Sequence, residues 1–229
     1  MPLFVGMNPA WLVLMVVSTI LGLVTQSYVK STYRKWSRVP LATGMSGAQV
    51  ARRILDSQGL SQVDITQVGG NLTDNYDPRV RRLALSQDVY ATQSVAAAGV
   101  AAHESGHALQ HAQGYVWGSI RSALVPVASF GSMASWVLIL VGIVIQAGGL
   151  IYLGVIFYAA AVLFQIVTLP VEFDASRRAL AQLETVGGLP SEQVAGARQV
   201  LTAAALTYVA AALIAALQLL YYLMLARDR

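Results

Sequence analysis

Long apolar runs alternate with polar stretches along this chain, and several runs are long enough to cross a bilayer, for which about 20 residues suffice. One covers residues 9–29, beginning Pro9-Ala10-Trp11-Leu12-Val13-Leu14. A second tract covers 129–169 and is interrupted only by Gln146-Ala147-Gly148-Gly149. It is too long for one helix across an ordinary membrane, and a Gly pair suits a turn, so it predicts a transmembrane hairpin. A last run covers 200–225. About four spans follow, leaving 31–128 and 170–199 as polar regions on one face.

The first polar region carries mixed signals. Ser46 can cap a helix through about Leu55, which Gly59 would stop. Val63-Asp64-Ile65-Thr66-Gln67-Val68 alternates as a half-buried strand does, and Gly69-Gly70-Asn71 reads as a turn. Asp74-Asn75-Tyr76-Asp77-Pro78 reads as a loop, and residues 80–85 alternate again, imperfectly. A helix is expected from about Thr92 to Gln113, ended by Gly114. The predicted fold class is mainly α and integral to the membrane. It consists of about four transmembrane helices (9–29, the hairpin 129–169, and 200–225) with a small α+β region at 31–128. Segment 170–199 returns to the same face as that region.

Composition agrees. Mean hydropathy is +0.58, and 11% of residues are charged, against roughly 25% in a soluble domain. The absence of cysteine excludes disulfides and thiolate metal sites. The net charge of +4 gives no nucleic-acid signal, because the basic residues flank apolar segments. Counting Lys30 at the edge of the first span, all basic residues except Arg227 and Arg229 fall in the two polar regions. The positive-inside rule therefore makes those regions cytoplasmic and puts both termini on the opposite face. The first run lacks a basic amino side and a small-residue cleavage site, so it reads as a signal anchor. The expected location is a bacterial inner membrane.

Of three histidines in the chain, two lie in His103-Glu104-Ser105-Gly106-His107, within the expected 92–113 helix. Residues four apart share a helical face, so both imidazoles can bind one Zn²⁺, with Glu104 beside them as base for a zinc-activated water. A catalytic zinc needs a third protein ligand and an open position. Outside the motif Glu172, Asp174, Glu184 and Glu192 are available. The hairpin returns near Pro170, which favours Glu172 as the ligand and Asp174 as an acceptor orienting an imidazole N–H. Glu184 and Glu192 read as solvated. His111 lies about 12 Å along the helix from His103 at 1.5 Å per residue, too far to join a common ion. Tyr76, Tyr90 or an arginine could stabilise an oxyanion. Residues 81–85 could offer a strand edge to an extended peptide. Asp74 and Asp77 read first as turn residues, and Arg177 and Arg178 as interfacial anchors.

His103 through Gln110, Leu72 through Pro78, Leu85 through Tyr90 and Glu172-Phe173-Asp174-Ala175-Ser176 together resemble the YugP-like neutral zinc metallopeptidases of bacterial membranes. The resemblance covers nearly the whole chain. More distantly, H-E-x-x-H with a later E-x-x-A is similar to HtpX-like membrane peptidases, in which the later Glu binds zinc. It implies a zinc peptidase with one Zn²⁺ per chain, held by His103, His107 and Glu172. One departure stands out: those families carry Asp where this chain has Ser176.

The expected function is a membrane-anchored metallopeptidase whose small α+β region 31–128 is a zincin-like catalytic domain on the cytoplasmic face, cutting peptide or protein substrates, membrane proteins included, there. The alternative is a catalytically silent zinc-binding scaffold or interaction protein. An intramembrane protease fits poorly, since Glu104, His107, Gln110, His111 and Gln113 make the second half of the helix too polar for lipid.

Overall fold

A computed structural model describes residues 9–227 of the protein. The neutral tip before Pro9 and the last two tail residues, expected on the far membrane face, lie outside the described residues. The elements are α1 (Pro9–Ser37), α2 (Gly47–Ser57), β1 (Asp64–Val68), β2 (Asn75–Asp77), β3 (Arg82–Ser86), α3 (Gln87–Ala91), α4 (Val95–Ala112), α5 (Val116–Val144), α6 (Gly148–Thr185) and α7 (Ser191–Arg227). Four of them, α1, α5, α6 and α7, are long and apolar enough to cross a membrane. Residue contacts gather the chain into two units, 1–26 with 119–170 and 207–229, and 27–118 with 171–206.

In the first unit α5 and α6 form the expected hairpin, packed through small residues. A Cβ on Gly142 would meet the backbone nitrogen of Ile151 at 2.9 Å, and one on Gly154 would meet that of Ile139 at 3.1 Å. Such closeness is how helices gain dispersion energy where lipid offers no hydrophobic drive. The turn differs from expectation. The left-handed residue is Gln146, at φ 57°, while Gly148 and Gly149 already lie in α6. Three polar side chains of the apolar helices pair with one another: Tyr158 donates to Gln218 Oε1 at 3.0 Å, and Gln218 Nε2 donates to Tyr222 at 2.8 Å.

In the second unit α2 starts on a full capping box, with Ser46 and Gln49 satisfying each other's backbone N–H. The sheet has the order β1-β3-β2, with β1 parallel and β2 antiparallel to β3. Segment 74–78, read from sequence as a loop, therefore contains a strand. Three residues of Asn-Tyr-Asp are too short to show alternation. The expected free edge at 81–85 is corrected as well: β3 is the central strand, paired on both sides. Its Leu83, Ala84, Leu85 and Ser86 are all buried, which explains the poor alternation. Asp74 closes this region by accepting from the Ser86 backbone N–H at 2.7 Å and from its hydroxyl.

The α4 helix starts at Val95 because Ser94 accepts from Ala97 N at 3.2 Å, while Thr92 and Gln93 precede it in non-helical backbone. It is buried almost all round, among Val50 and Ile54 of α2, Leu83 and Leu85 of β3, and Ala179 and Leu183 of α6. Its alanine and glycine content permits that enclosure. A Cβ on Gly106 would sit 2.6 Å from the carbonyl oxygen of Ala175, and one on Gly99 would lie 3.3 Å from Ala197 Cβ. The carboxyl end of α6 thus lies directly on the motif helix.

Candidate metal centre

Two helices build the site. α4 presents His103 and His107 on one face, and α6 presents Glu172. Glu172 lies inside a continuous helix that carries Pro170 in its interior, so helical backbone fixes the carboxylate direction. Glu172 Oε2 is 3.2 Å from His103 Nε2 and 3.7 Å from His107 Nε2. The two imidazoles meet edge to face, with ring centroids 4.7 Å apart.

The ligand atoms of these three residues lie within 4.8 Å of one another, close enough for one metal ion. Tetrahedral ligands at about 2.0–2.1 Å from zinc stand roughly 3.3 Å apart, near the observed spacings. Two imidazoles and a carboxylate also suit zinc chemically and leave its fourth position free. The donor set fits the ion.

The surroundings of the three side chains differ. His103 Nδ1 lies 3.2 Å from the Ser176 hydroxyl. His107 Nδ1 lies 3.0 Å from Gln110 Oε1. Gln110 Nε2 donates to the Val171 carbonyl at 2.8 Å and to Asp174 Oδ2 at 2.9 Å. Asp174 meets neither imidazole directly; besides Gln110 it takes Arg177 and Arg178. Those arginines, expected as interfacial anchors, bind within the unit, and Arg178 reaches Gln113 and the Tyr115 ring as well. Gln110 was missed in the sequence, although a residue three positions beyond a ligand shares its helical face. Ser176 was visible only as a departure from the related families.

Glu104 is buried beside the ligands, and burial pushes its carboxyl above the usual range while the two imidazoles oppose the shift. Burial works against protonation of His107, but Glu172 and Glu104 outweigh it and raise its pKa. His111 stands apart from the cluster: exposed, it pairs through Nδ1 with the Tyr76 hydroxyl at 2.9 Å. Tyr90 packs half-buried on the core between sheet and helices.

With this geometry in hand, the relatives are informative. The family model described as "Putative neutral zinc metallopeptidase" matches residues 11–227. The "Putative membrane protease YugP" of Bacillus subtilis (strain 168) is 46% identical over 200 residues, covering 87% of this chain and 89% of the relative. No solved structure matches. A match over nearly the whole length, together with a His-His-Glu group able to hold one metal ion, places this chain in the family of neutral zinc metallopeptidases.

Proposed function

We propose that the protein is a membrane-anchored zinc endopeptidase that cuts protein substrates, membrane proteins among them, at the cytoplasmic face of a bacterial inner membrane. The observation that carries this reading is the convergence of His103 Nε2, His107 Nε2 and Glu172 Oε2 from two helices. Zinc bound there would lower the pKa of water toward about 7 and polarise a scissile carbonyl. Glu104, the buried carboxyl beside the ligands, takes the water proton and returns it to the leaving amine. The orientation rests on the basic residues of the two polar regions.

Tyr76 is the favoured oxyanion donor over Tyr90. It belongs to β2, which packs on α4, and its phenol already meets His111 on that helix. β2 pairs with β3 on one side only, so its outer edge, rather than residues 81–85, is the place for an extended peptide to add as a strand.

Zinc analysis of the purified protein paired with cleavage of a labelled unfolded protein tests this. About one zinc per chain is expected, lost in His103→Ala, His107→Ala and Glu172→Ala. Glu104→Gln should keep the metal and lose cleavage. Undiminished cleavage by Glu104→Gln would remove the mechanism, and a wild type that binds zinc but cleaves nothing would leave the silent zinc-binding scaffold.

A further inference from the structure

The two histidines are held differently, and the difference singles out one residue. The Ser176 hydroxyl can donate or accept, so its contact with His103 Nδ1 does not decide where the His103 proton sits. Gln110 leaves no such freedom. Its amide nitrogen faces two acceptors, the Val171 carbonyl at 2.8 Å and the Asp174 carboxylate at 2.9 Å. A reversed amide would set its oxygen against both of these acceptor oxygens in a buried setting, where neither contact can be a hydrogen bond. The amide oxygen must therefore face His107, and because it can only accept, His107 Nδ1 must carry the proton. The lone pair then lies on Nε2, the nitrogen turned toward Glu172.

Asp174 is fixed in turn. Nearly buried, its two oxygens take Gln110, Arg177 and Arg178. The chain of contacts thus runs from the arginines through Asp174 and Gln110 to His107. It also joins the helix bearing the histidines to the helix bearing Glu172, two residues from Asp174.

We infer that Gln110, anchored on Asp174 and the Val171 carbonyl, is the positioning residue that sets the tautomer and ring orientation of His107 for metal binding. The carboxylate that commonly backs a metal-binding histidine acts here at one remove, through an amide. The inference rests on the metal-centre reading above, and its test separates the two.

Two measurements decide it, both on the full chain in detergent: zinc affinity by chelator competition and nitrogen-15 shifts of labelled histidine. With three histidines in the chain, a His111→Gln background leaves two signals to assign. Gln110→Leu should weaken zinc binding roughly 10- to 100-fold, the usual effect of losing such a partner. Gln110→Glu, which keeps an acceptor for His107, should recover part of that loss. In metal-free protein above the imidazole titration range, His107 should be protonated at Nδ1, and Gln110→Leu should move it toward a mixture of tautomers. Wild-type zinc affinity in Gln110→Leu overturns the inference. So does an equal loss in the Leu and Glu variants with an unchanged His107 tautomer, which would make Gln110 a space-filling residue. If the wild type binds no zinc, the metal-centre reading fails, and the His107 tautomer still decides what Gln110 does.

Discussion

Gly106, the fourth residue of the H-E-x-x-H motif, lies flat against Ala175: a Cβ there would come within 2.6 Å of the Ala175 carbonyl oxygen and 3.2 Å of its Cα. Backbone on backbone leaves neither side a flexible atom to move. This contact sets how closely α6 approaches α4, and so whether Glu172 reaches the histidines. Gly106→Ala should push the helices apart, costing about 1–3 kcal/mol through overpacking. Zinc content should fall in Gly106→Ala although all three ligands remain. A variant with full zinc occupancy and an unchanged melting temperature would show that the helix spacing is not set there.

Glu104 gives a pH-dependent expectation in the metal-free protein. Burial raises its folded-state pKa, so the folded state prefers the protonated carboxyl. Its contribution to stability is complete below the ordinary carboxylate range and is lost as pH rises through the raised folded value. Glu104→Gln, which stays neutral, escapes that loss. Metal-free Glu104→Gln should therefore unfold at a higher temperature than wild type at neutral pH, and the gap should close in acid. Thermal melts across pH in chelator read this directly, and a gap that widens in acid would reverse the sign.

Asp74 looked like one more turn residue in an Asn-Asp-Pro cluster. Its carboxylate in fact accepts from the backbone N–H of buried Ser86 at 2.7 Å and from its hydroxyl at 3.0 Å. Asp74→Ala strands those donors at the end of the central strand and should destabilise the second unit by about 1–3 kcal/mol. Asp74→Asn keeps one acceptor and should cost less. Chemical denaturation followed by tryptophan fluorescence measures both, and equal stabilities for Ala and wild type would mean that water replaces the contact.

What the sequence made legible follows the strength of its periodic signals. The apolar runs announced the four long helices, and Ser46 with Gly59 bounded α2 correctly. Hydropathy marks the apolar middle of each long helix but not its polar extensions: α5 starts at Val116 and α7 at Ser191, ahead of their apolar runs, and α1 continues to Ser37. Helix α6 continues through Pro170 to Thr185, because polar residues continue a helix as readily as apolar ones once the first turns exist. β2 escaped notice because three residues carry no period, and β3 was read as a strand but as an edge, because its pairing on both sides is not written in its own residues. At the site, the grouping of His103, His107 and Glu172 was legible because metal chemistry restricts ligand types and spacing. Gln110 was not, since its role depends on Val171 and Asp174 arriving from another helix. Nothing local in the sequence marks such an encounter.

Ser176 is where this chain departs from the pattern of the HtpX-like peptidases that its motifs distantly resemble, where Asp is expected. The structure puts its hydroxyl 3.2 Å from His103 Nδ1, so the position faces the imidazole whatever residue fills it. A hydroxyl is a weaker acceptor for an imidazole N–H than a carboxylate. His103 should then be the less firmly held of the two histidines, with Asp174 already committed to Gln110 and the arginines. Ser176→Ala should lower zinc affinity by about tenfold, the low end for losing such a partner. Ser176→Asp should raise it above wild type, since the carboxylate would both accept from Nδ1 and make Nε2 a stronger donor to the metal. Chelator competition on the three proteins ranks them. If Ser176→Asp binds zinc more weakly than wild type, the added charge beside Glu172 and Glu104 outweighs the gain at His103, which would explain why this chain carries serine there.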